Sequence, residues 1–249
     1  MYEIYNEDCL IGMKKIESGS VALILTDPPF GTSACEFDKK LPFEPMWAEF
    51  KRVTKHNAAI VLFSQLPFAV DLINANRKMF RYEWVWEKSL GVGFLNAKKM
   101  PLRCHENILV FYRKLPTYNP QFTKGKPYDY RHKPKIHRNY HQTFTCGQKN
   151  ETGDRYPRDV IQFKGVIGGD CKEIVHPQQK PTDLLEYLIK TYTNEGETVL
   201  DATMGSGSTG VAAMNTNRRF IGFETETKFY EIAKKRIDEA LAKKAQELF

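Results

Sequence analysis

The stretch that decides the fold is "LILTDPPF", Leu23 to Phe30. An apolar run with the composition of a buried strand stops at Asp27, and Pro28, Pro29 and Phe30 follow at once. Two prolines hold φ at about −65° in succession and donate no backbone hydrogen. The segment is therefore a stiff stalk carrying one carboxylate, bare carbonyl acceptors and one flat ring, which suits it to holding something planar. Asp-Pro after a strand is also ordinary turn chemistry. On the octapeptide alone, a turn and a site are equal alternatives, and the rest of the chain decides.

Working outward, further apolar or β-rich runs read as strands at 58–64, 82–88, 107–113, 198–203 and 219–224, beside the first at 21–26. Amphipathic stretches of helix length lie at 44–55, 67–80, 181–193 and 228–246. This alternation predicts an α/β fold with a mostly parallel sheet covered on both faces, and ligands beyond the carboxyl ends of the strands. Asp27, Asp201 and Glu224 fall at such ends, as does Asp8 after "YEIYNE".

The second motif is "VLDATMGSGSTGVAA", Val199 to Ala213. A strand delivers Asp201, Gly205, Gly207 and Gly210 form a tight loop opening onto a helix, and Glu224 ends the next strand. That is formally the dinucleotide fingerprint, with an acid placed to accept ribose hydroxyls. The terminal Lys of a phosphate-gripping loop is missing. A nucleoside-containing cofactor follows; a pyrophosphate does not.

With 249 residues and 41% hydrophobic content the chain can bury a full core. Cys9, Cys35, Cys104, Cys146 and Cys171 are odd in number and scattered, neither a disulfide framework nor a zinc pattern. With no basic-then-apolar leader and no apolar stretch near the ~18 residues of a membrane span, the expectation is a soluble cytoplasmic protein with no membrane partner. The net charge of +7 is unevenly placed: Arg113 to Arg158 holds eleven Lys/Arg against three acids, so the remainder is −1. Seven aromatics interleave that charge, and the stretch has neither helical nor strand period. Cations meet phosphates while rings and amides meet bases, so it reads as a nucleic-acid surface, with Lys124, Lys126, Arg131, Lys133, Lys135 and Arg138 as contacts. A solvated loop with locally packed rings is the alternative. His137 and His141 lack the partners of a zinc finger, and no metal is expected.

Together, a stalked carboxylate with a ring, a basic insertion and a glycine loop with a ribose acid resemble the amino-DNA methyltransferases that use S-adenosylmethionine. The family tetrapeptide [DNS]PP[YFW] is Asp27-Pro28-Pro29-Phe30 here, and the family cofactor loop resembles Asp201 to Thr209. Catalytic motif first, insertion next and cofactor motif last is the order of the β group, a circular permutation of the common methyltransferase sheet. "HPQQKP" (176–181), "FIGFE" (220–224) and the middle strands around "WEKS" and "CHENILVFYR" add to the resemblance. Departures are Ala202-Thr203-Met204 where relatives often carry Pro-Phe, and Phe30 where Tyr is commoner.

The resemblance implies a Rossmann-like methyltransferase domain in two halves, 1–112 and 166–249, around a recognition insertion at 113–165. It implies S-adenosylmethionine as cofactor and double-stranded DNA as partner, with a homodimer and a companion restriction enzyme as further options. Asp27, Pro28, Pro29 and Phe30 become the catalytic set. Asp8, Asp27, Lys180, Asp201, Gly205, Gly207, Ser208, Thr209 and Glu224 become the cofactor set. His105-Glu106 is a polar pair with a role in the family, and Trp47, Trp84 and Trp86 read as core. Asp in the first motif position favours adenine N6 as the methylated amine, with cytosine N4 as alternative. A nicotinamide dehydrogenase and an inactive DNA-binding module are the other classes; the first leaves the DPPF stalk unexplained and the second lacks a lesion.

Overall fold

A computed structural model describes residues 1–31, 40–130, 135–137, 142–144, 148–165 and 179–247. The chain forms two compact units, one of Met1–Asn119 with Asp159–Phe249 and one of Pro120–Arg158.

The first unit is built on an eight-stranded sheet. In chain order its strands are β1 (Tyr2–Tyr5), β2 (Val21–Thr26), β3 (Thr54–Ser64), β4 (Phe80–Val92), β5 (Arg103–Phe111), β12 (Val160–Gln162), β13 (Thr198–Asp201) and β14 (Arg219–Phe223), and β6 to β11 belong to the second unit. The spatial order is β1-β14-β13-β2-β3-β5-β4-β12. β5 runs antiparallel to both its neighbours, and every other pairing is parallel. The late strands β13 and β14 thus sit between β1 and β2, which is the permuted order expected. Among the described residues the α-helices are α1 (Cys9–Gly12), α2 (Phe43–Val53), α3 (Phe68–Ala75), α4 (Thr182–Tyr192), α5 (Ser208–Asn215) and α6 (Thr227–Glu247).

Strand β2 is buried along its whole length, as a central parallel strand covered on both faces must be. Its side chains alternate between two cores: Leu23 and Leu25 pack with Leu184, Leu188, Ala213 and Ile237 of α4 to α6, while Ile24 packs with Met46, Phe50 and Leu72 of α2 and α3. The α2 buried positions Met46, Trp47, Phe50 and Val53 follow the helical period. All three tryptophans are buried, as read.

Several boundaries differ from the sequence pattern. α2 stops at Val53 because Thr54 turns its hydroxyl onto the Phe50 carbonyl (2.7 Å) and pairs with Val21, so β3 begins four residues early. α3 stops at Ala75, where Asn76 leaves helical geometry and its carbonyl accepts the Met79 and Phe80 amides. The hairpin of β4 and β5 is longer than its apolar run, and the short edge strand β12 was not foreseen.

The second unit is narrower than the charged stretch. Arg113 donates to the Thr54 carbonyl (2.8 Å) and Asn119 to the Lys190 and Thr193 carbonyls (both 3.1 Å), so residues 113–119 pack with the first unit. The Asp159 carbonyl accepts from Val85 ahead of β12. Within 120–158, β6 (Thr123–Lys124) pairs with β11 (Asp154–Arg155), β7 (Tyr128–Tyr130) with β10 (Gln148–Asn150), and β8 (Lys135–His137) with β9 (Gln142–Phe144), each antiparallel. Short ladders thus occur in a stretch whose sequence shows no strand period; strands of two or three residues are too short to show one. Among the described residues no helix is long and apolar enough to cross a membrane, and no cluster of metal-ligating side chains occurs. His141, Cys35, Cys146 and Cys171 lie outside the described residues.

Gly207 shows how tightly the glycine loop is fitted. It has φ +77°, and a Cβ there would sit 2.9 Å from the Ala233 Cα of α6. Gly207→Ala is expected to lose about 2 to 5 kcal/mol in urea denaturation, left-handed strain and overpacking adding together; a loss below about 1 kcal/mol would contradict this packing.

Candidate active site

The parallel strands bring four acids to one edge of the sheet. Asp8 follows β1, Glu224 follows β14, Asp201 ends β13 and Asp27 follows β2. All four line one cavity of about 360 Å3, together with Lys180, Gly205, Ser208 and Thr209 of the expected cofactor set. Gly207 does not line it, because it faces α6. Pro29 lines it, Pro28 is buried beneath, and Phe30 leans on Phe68 with ring centroids 5.0 Å apart.

The glycine loop is held from several sides. Arg236 of α6 donates to the Ser206 carbonyl (2.5 Å) and hydroxyl (2.9 Å), and the Met204 amide bonds the Phe223 carbonyl (2.9 Å). Asp201 accepts from the Thr209 hydroxyl (2.6 Å) and the Thr203 amide (3.1 Å). Burial nevertheless pushes the Asp201 carboxyl up to about 6. Glu224 accepts the Gly205 amide (2.9 Å) on one oxygen and the Glu226 amide (2.8 Å) on the other. Burial raises its pKa against those bonds. Each of its oxygens retains a lone pair for a ligand hydroxyl. Exposed Asp8 caps α1 through the Leu10 amide (2.7 Å) and stands at the rim.

At the other end a chain of alternating charges runs through the protein. Lys180 binds Asp27 Oδ2, lies 3.6 Å from Glu106 Oε2, and Lys88 binds Glu106 Oε1. The side chains of Asp27, Lys180 and Glu106 are only 17, 11 and 7% exposed. Burial raises the Asp27 pKa, with Lys180 pulling it back and Glu106 adding to the rise. Burial would lower Lys180, but the two carboxylates beside it hold it above its usual value. Burial would raise Glu106, yet Lys180 and Lys88 keep it below the usual range. Among the described residues three buried side-chain polar atoms have no hydrogen-bond partner, and two of them, Asp27 Oδ1 and Glu106 Oε2, belong to this chain of charges. The Asp27 carbonyl is fixed by the Thr203 hydroxyl (2.9 Å), itself 2.9 Å from the Thr26 hydroxyl.

Lys88, Thr26 and Thr203 were not among the expected site residues; Lys180, expected in the cofactor set, lines the cavity and binds Asp27 there. The His105-Glu106 pair separates, as strand alternation requires: Glu106 turns inward and His105 is exposed. A charged residue at the start of "ENILVF" was the available signal. In the second unit, exposed Lys124 pairs with Asp154 (2.6 Å), and Lys126 is exposed. Lys135 starts β8, while Arg131, Lys133 and Arg138 lie outside the described residues.

The donor set fits a cationic nucleoside. Among the described residues, Glu7, Asp8, Asp27, Asp201, Glu224 and Glu226 put six carboxylates around the cavity against the one, already paired ammonium of Lys180. Such a lining attracts a sulfonium and repels a pyrophosphate, which removes the dinucleotide alternative. An α/β protein with a nucleoside-binding cleft at the strand ends and a buried, half-satisfied aspartate is the class that fold and site define. The DNA methylase family model for N6 and N4 enzymes matches residues 21–235. The chain is 27% identical over 239 residues to the Type II methyltransferase M.HpaI of Haemophilus parainfluenzae, across 91% of this chain and 71% of that protein. It is 29% identical over 273 residues to the DNA adenine methyltransferase YhdJ of Escherichia coli K12, across 98% of this chain and 85% of that one. The crystal structure of the M1.HpyAVI–SAM complex aligns at TM-score 0.64 and 26% identity, covering 95% of this chain and 99% of the other. The chain belongs to the N6/N4 DNA methylase family, whose members are S-adenosylmethionine-dependent methyltransferases acting on DNA.

The raised pKa of Asp201 has a measurable consequence. The folded state binds its proton more tightly than the unfolded chain, so this stabilisation is complete below about pH 4 and is lost as pH rises through about 6. Stability of the wild type relative to Asp201→Asn should therefore fall by up to about 3 kcal/mol between pH 4 and 7. A flat difference in urea unfolding across that range would contradict the burial of a carboxylate there.

Proposed function

We propose that this chain methylates the N6 amine of adenine in duplex DNA, taking the base out of the helix to reach Asp27. The observation that carries the proposal is the state of the Asp27 carboxylate: buried at the cavity wall, with one oxygen held by Lys180 and the other without a partner among the described residues. Asp in the first position of the tetrapeptide and the kinship with a protein named DNA adenine methyltransferase support adenine over cytosine. The Type II name of M.HpaI supports a companion restriction enzyme and thus a cytoplasmic enzyme of a bacterial host.

The chemistry follows from the problem the base poses. An exocyclic amine is a poor nucleophile because its lone pair is delocalised into the ring, and it is unreachable in a stacked duplex. Asp27 Oδ1 accepts one amine hydrogen and the Pro28 carbonyl the other, which favours drawing the lone pair out of the ring toward the methyl donor. The prolines fix both acceptors in advance. Lys180 keeps the buried carboxylate charged and limits its rotation, so that Oδ1 remains the acceptor. The amine proton, acidified as the nitrogen becomes cationic, passes to Asp27 and then to water. Phe30, oriented by Phe68, stacks on the base. S-adenosylmethionine, when bound, supplies an electrophilic methyl on a sulfonium. Glu224 would hold its ribose hydroxyls, Asp8 its adenine amine, and Asp201 with Gly205, Ser208 and Thr209 its amino-acid end. Lys124, Lys126, Arg131, Lys133, Lys135 and Arg138 would meet phosphates.

Whole-genome-amplified bacterial DNA carries no methyl marks and samples all short sequences. Incubated with labelled S-adenosylmethionine and digested to nucleosides, it should carry label on N6-methyldeoxyadenosine. Asp27→Ala should lower the rate at least about 100-fold. Label on deoxycytidine alone would overturn the adenine assignment, and an active Asp27→Ala would overturn the mechanism. Glu224→Ala should weaken S-adenosylmethionine binding by about 1 to 3 kcal/mol in calorimetry; unchanged affinity would refute its place at the ribose.

A further inference from the structure

The hairpin that joins β4 to β5 extends past the sheet and ends in an apolar tip. Val92 still pairs with Arg103, and beyond it Gly93 turns the chain at φ +91°. A tight turn follows, held by Asn96 N to Gly93 O (2.9 Å), Ala97 N to Phe94 O (3.0 Å) and Lys99 N to Asn96 O (2.8 Å). The tip is thus a folded object. Yet it exposes Leu95 at 98%, Phe94 at 81%, Leu90 at 58% and Met100 at 56%. Apolar side chains gathered at one folded point mark a contact surface.

Charge and position say what it meets. From Ser89 to His105 there is no acid, while Lys98 and Lys99 flank the turn and Arg103 stands at its base, bonded to Gln65. Lysine is depleted at the cores of protein interfaces, whereas cations beside an apolar point suit a polyphosphate with stacked rings inside. β4 runs in the direction of β2 and β3, so the hairpin leaves the sheet at the edge that carries Asp27. Its base is tied to that carboxylate by the run Lys88, Glu106, Lys180, Asp27. Lys88 to Phe94 is six residues, a span of at most about 20 Å.

We propose that Phe94 and Leu95 form a wedge that enters the base stack of duplex DNA at the place the target base vacates, with Lys98 and Lys99 on the adjoining phosphates. The proposal rests on the base-flipping mechanism above and adds to it the group that fills the gap. Flipping leaves an unstacked hole, and apolar side chains of this kind are suited to occupy one. The wedge then slows return of the base, while the Asp27 pocket captures it.

The test uses the full-length protein, labelled S-adenosylmethionine and whole-genome-amplified DNA. Phe94→Ser combined with Leu95→Ser should lower the single-turnover rate at saturating DNA at least tenfold, with unchanged thermal melting, S-adenosylmethionine affinity and oligomeric state. Phe94→Leu combined with Leu95→Met, which keeps an apolar point, should stay within threefold of wild type. Lys98→Ser with Lys99→Ser should raise the DNA KM and flatten the salt dependence by up to about two units. Wild-type rates from the serine variant would overturn the wedge alone. A wild-type dimer that the serine variant splits would assign the tip to a second copy of the chain and also overturn it. Absence of label on DNA with the wild-type protein would overturn the methyltransferase mechanism and the wedge together.

Discussion

The ion pair between Lys180 and Asp27 is the interaction on which the rest of the site depends. Removing two charges from water costs several kcal/mol each, and the attraction between them recovers that only with good geometry and further partners. The fold supplies those partners from separate elements: Asp27 after β2, Lys180 before α4, Glu106 on β5 and Lys88 on β4. Alternating signs leave the group neutral as a whole, so it survives burial. Among the described residues, Asp27 Oδ1 and Glu106 Oε2 remain without hydrogen-bond partners. A structure selected for stability alone would have closed them; the proposed role of Asp27 as an acceptor would account for the first.

The sheet explains why the acids meet. Four neighbouring parallel strands end at one edge, and each carries a carboxylate just at or past its end. The permuted chain order does not disturb this, because strand neighbours and not sequence neighbours set the site. The resulting cavity is strongly negative, which suits a positively charged donor, while the cations collect elsewhere: nine Lys/Arg against three acids lie in 120–158. One chain thereby carries a negative field in the cleft and a positive one at 120–158, which under the proposed function would meet a sulfonium and phosphates respectively.

Much of this was legible in the sequence. The DPPF stalk, the glycine loop and the strand-end acids at 8, 27, 201 and 224 are short-range patterns, and the four acids with Pro29, Gly205, Ser208 and Thr209 line the cavity. Gly207 was legible as a loop glycine but not as a helix contact, since Ala233 is distant in sequence. Lys88, Thr26 and Thr203 act only through partners brought in by the sheet, and no local pattern marks them. Lys180 was expected in the cofactor set and lines that cavity, but its ion pair with Asp27 is visible only in the fold, for the same reason. The hairpin tip escaped because apolar residues in sequence read as core, and only the fold shows that Phe94 and Leu95 face solvent.

Direct titration of the Asp27 carboxyl is the sharpest test of the central claim. With 13C-labelled aspartate, NMR follows its ionisation in the wild type and in Lys180→Met. Loss of the ammonium should move the Asp27 midpoint upward, because burial and the charge on Glu106 are then opposed only by the more distant Lys88. A midpoint that stays in place or falls in Lys180→Met would show that Lys180 does not hold the Asp27 carboxylate in its charged form.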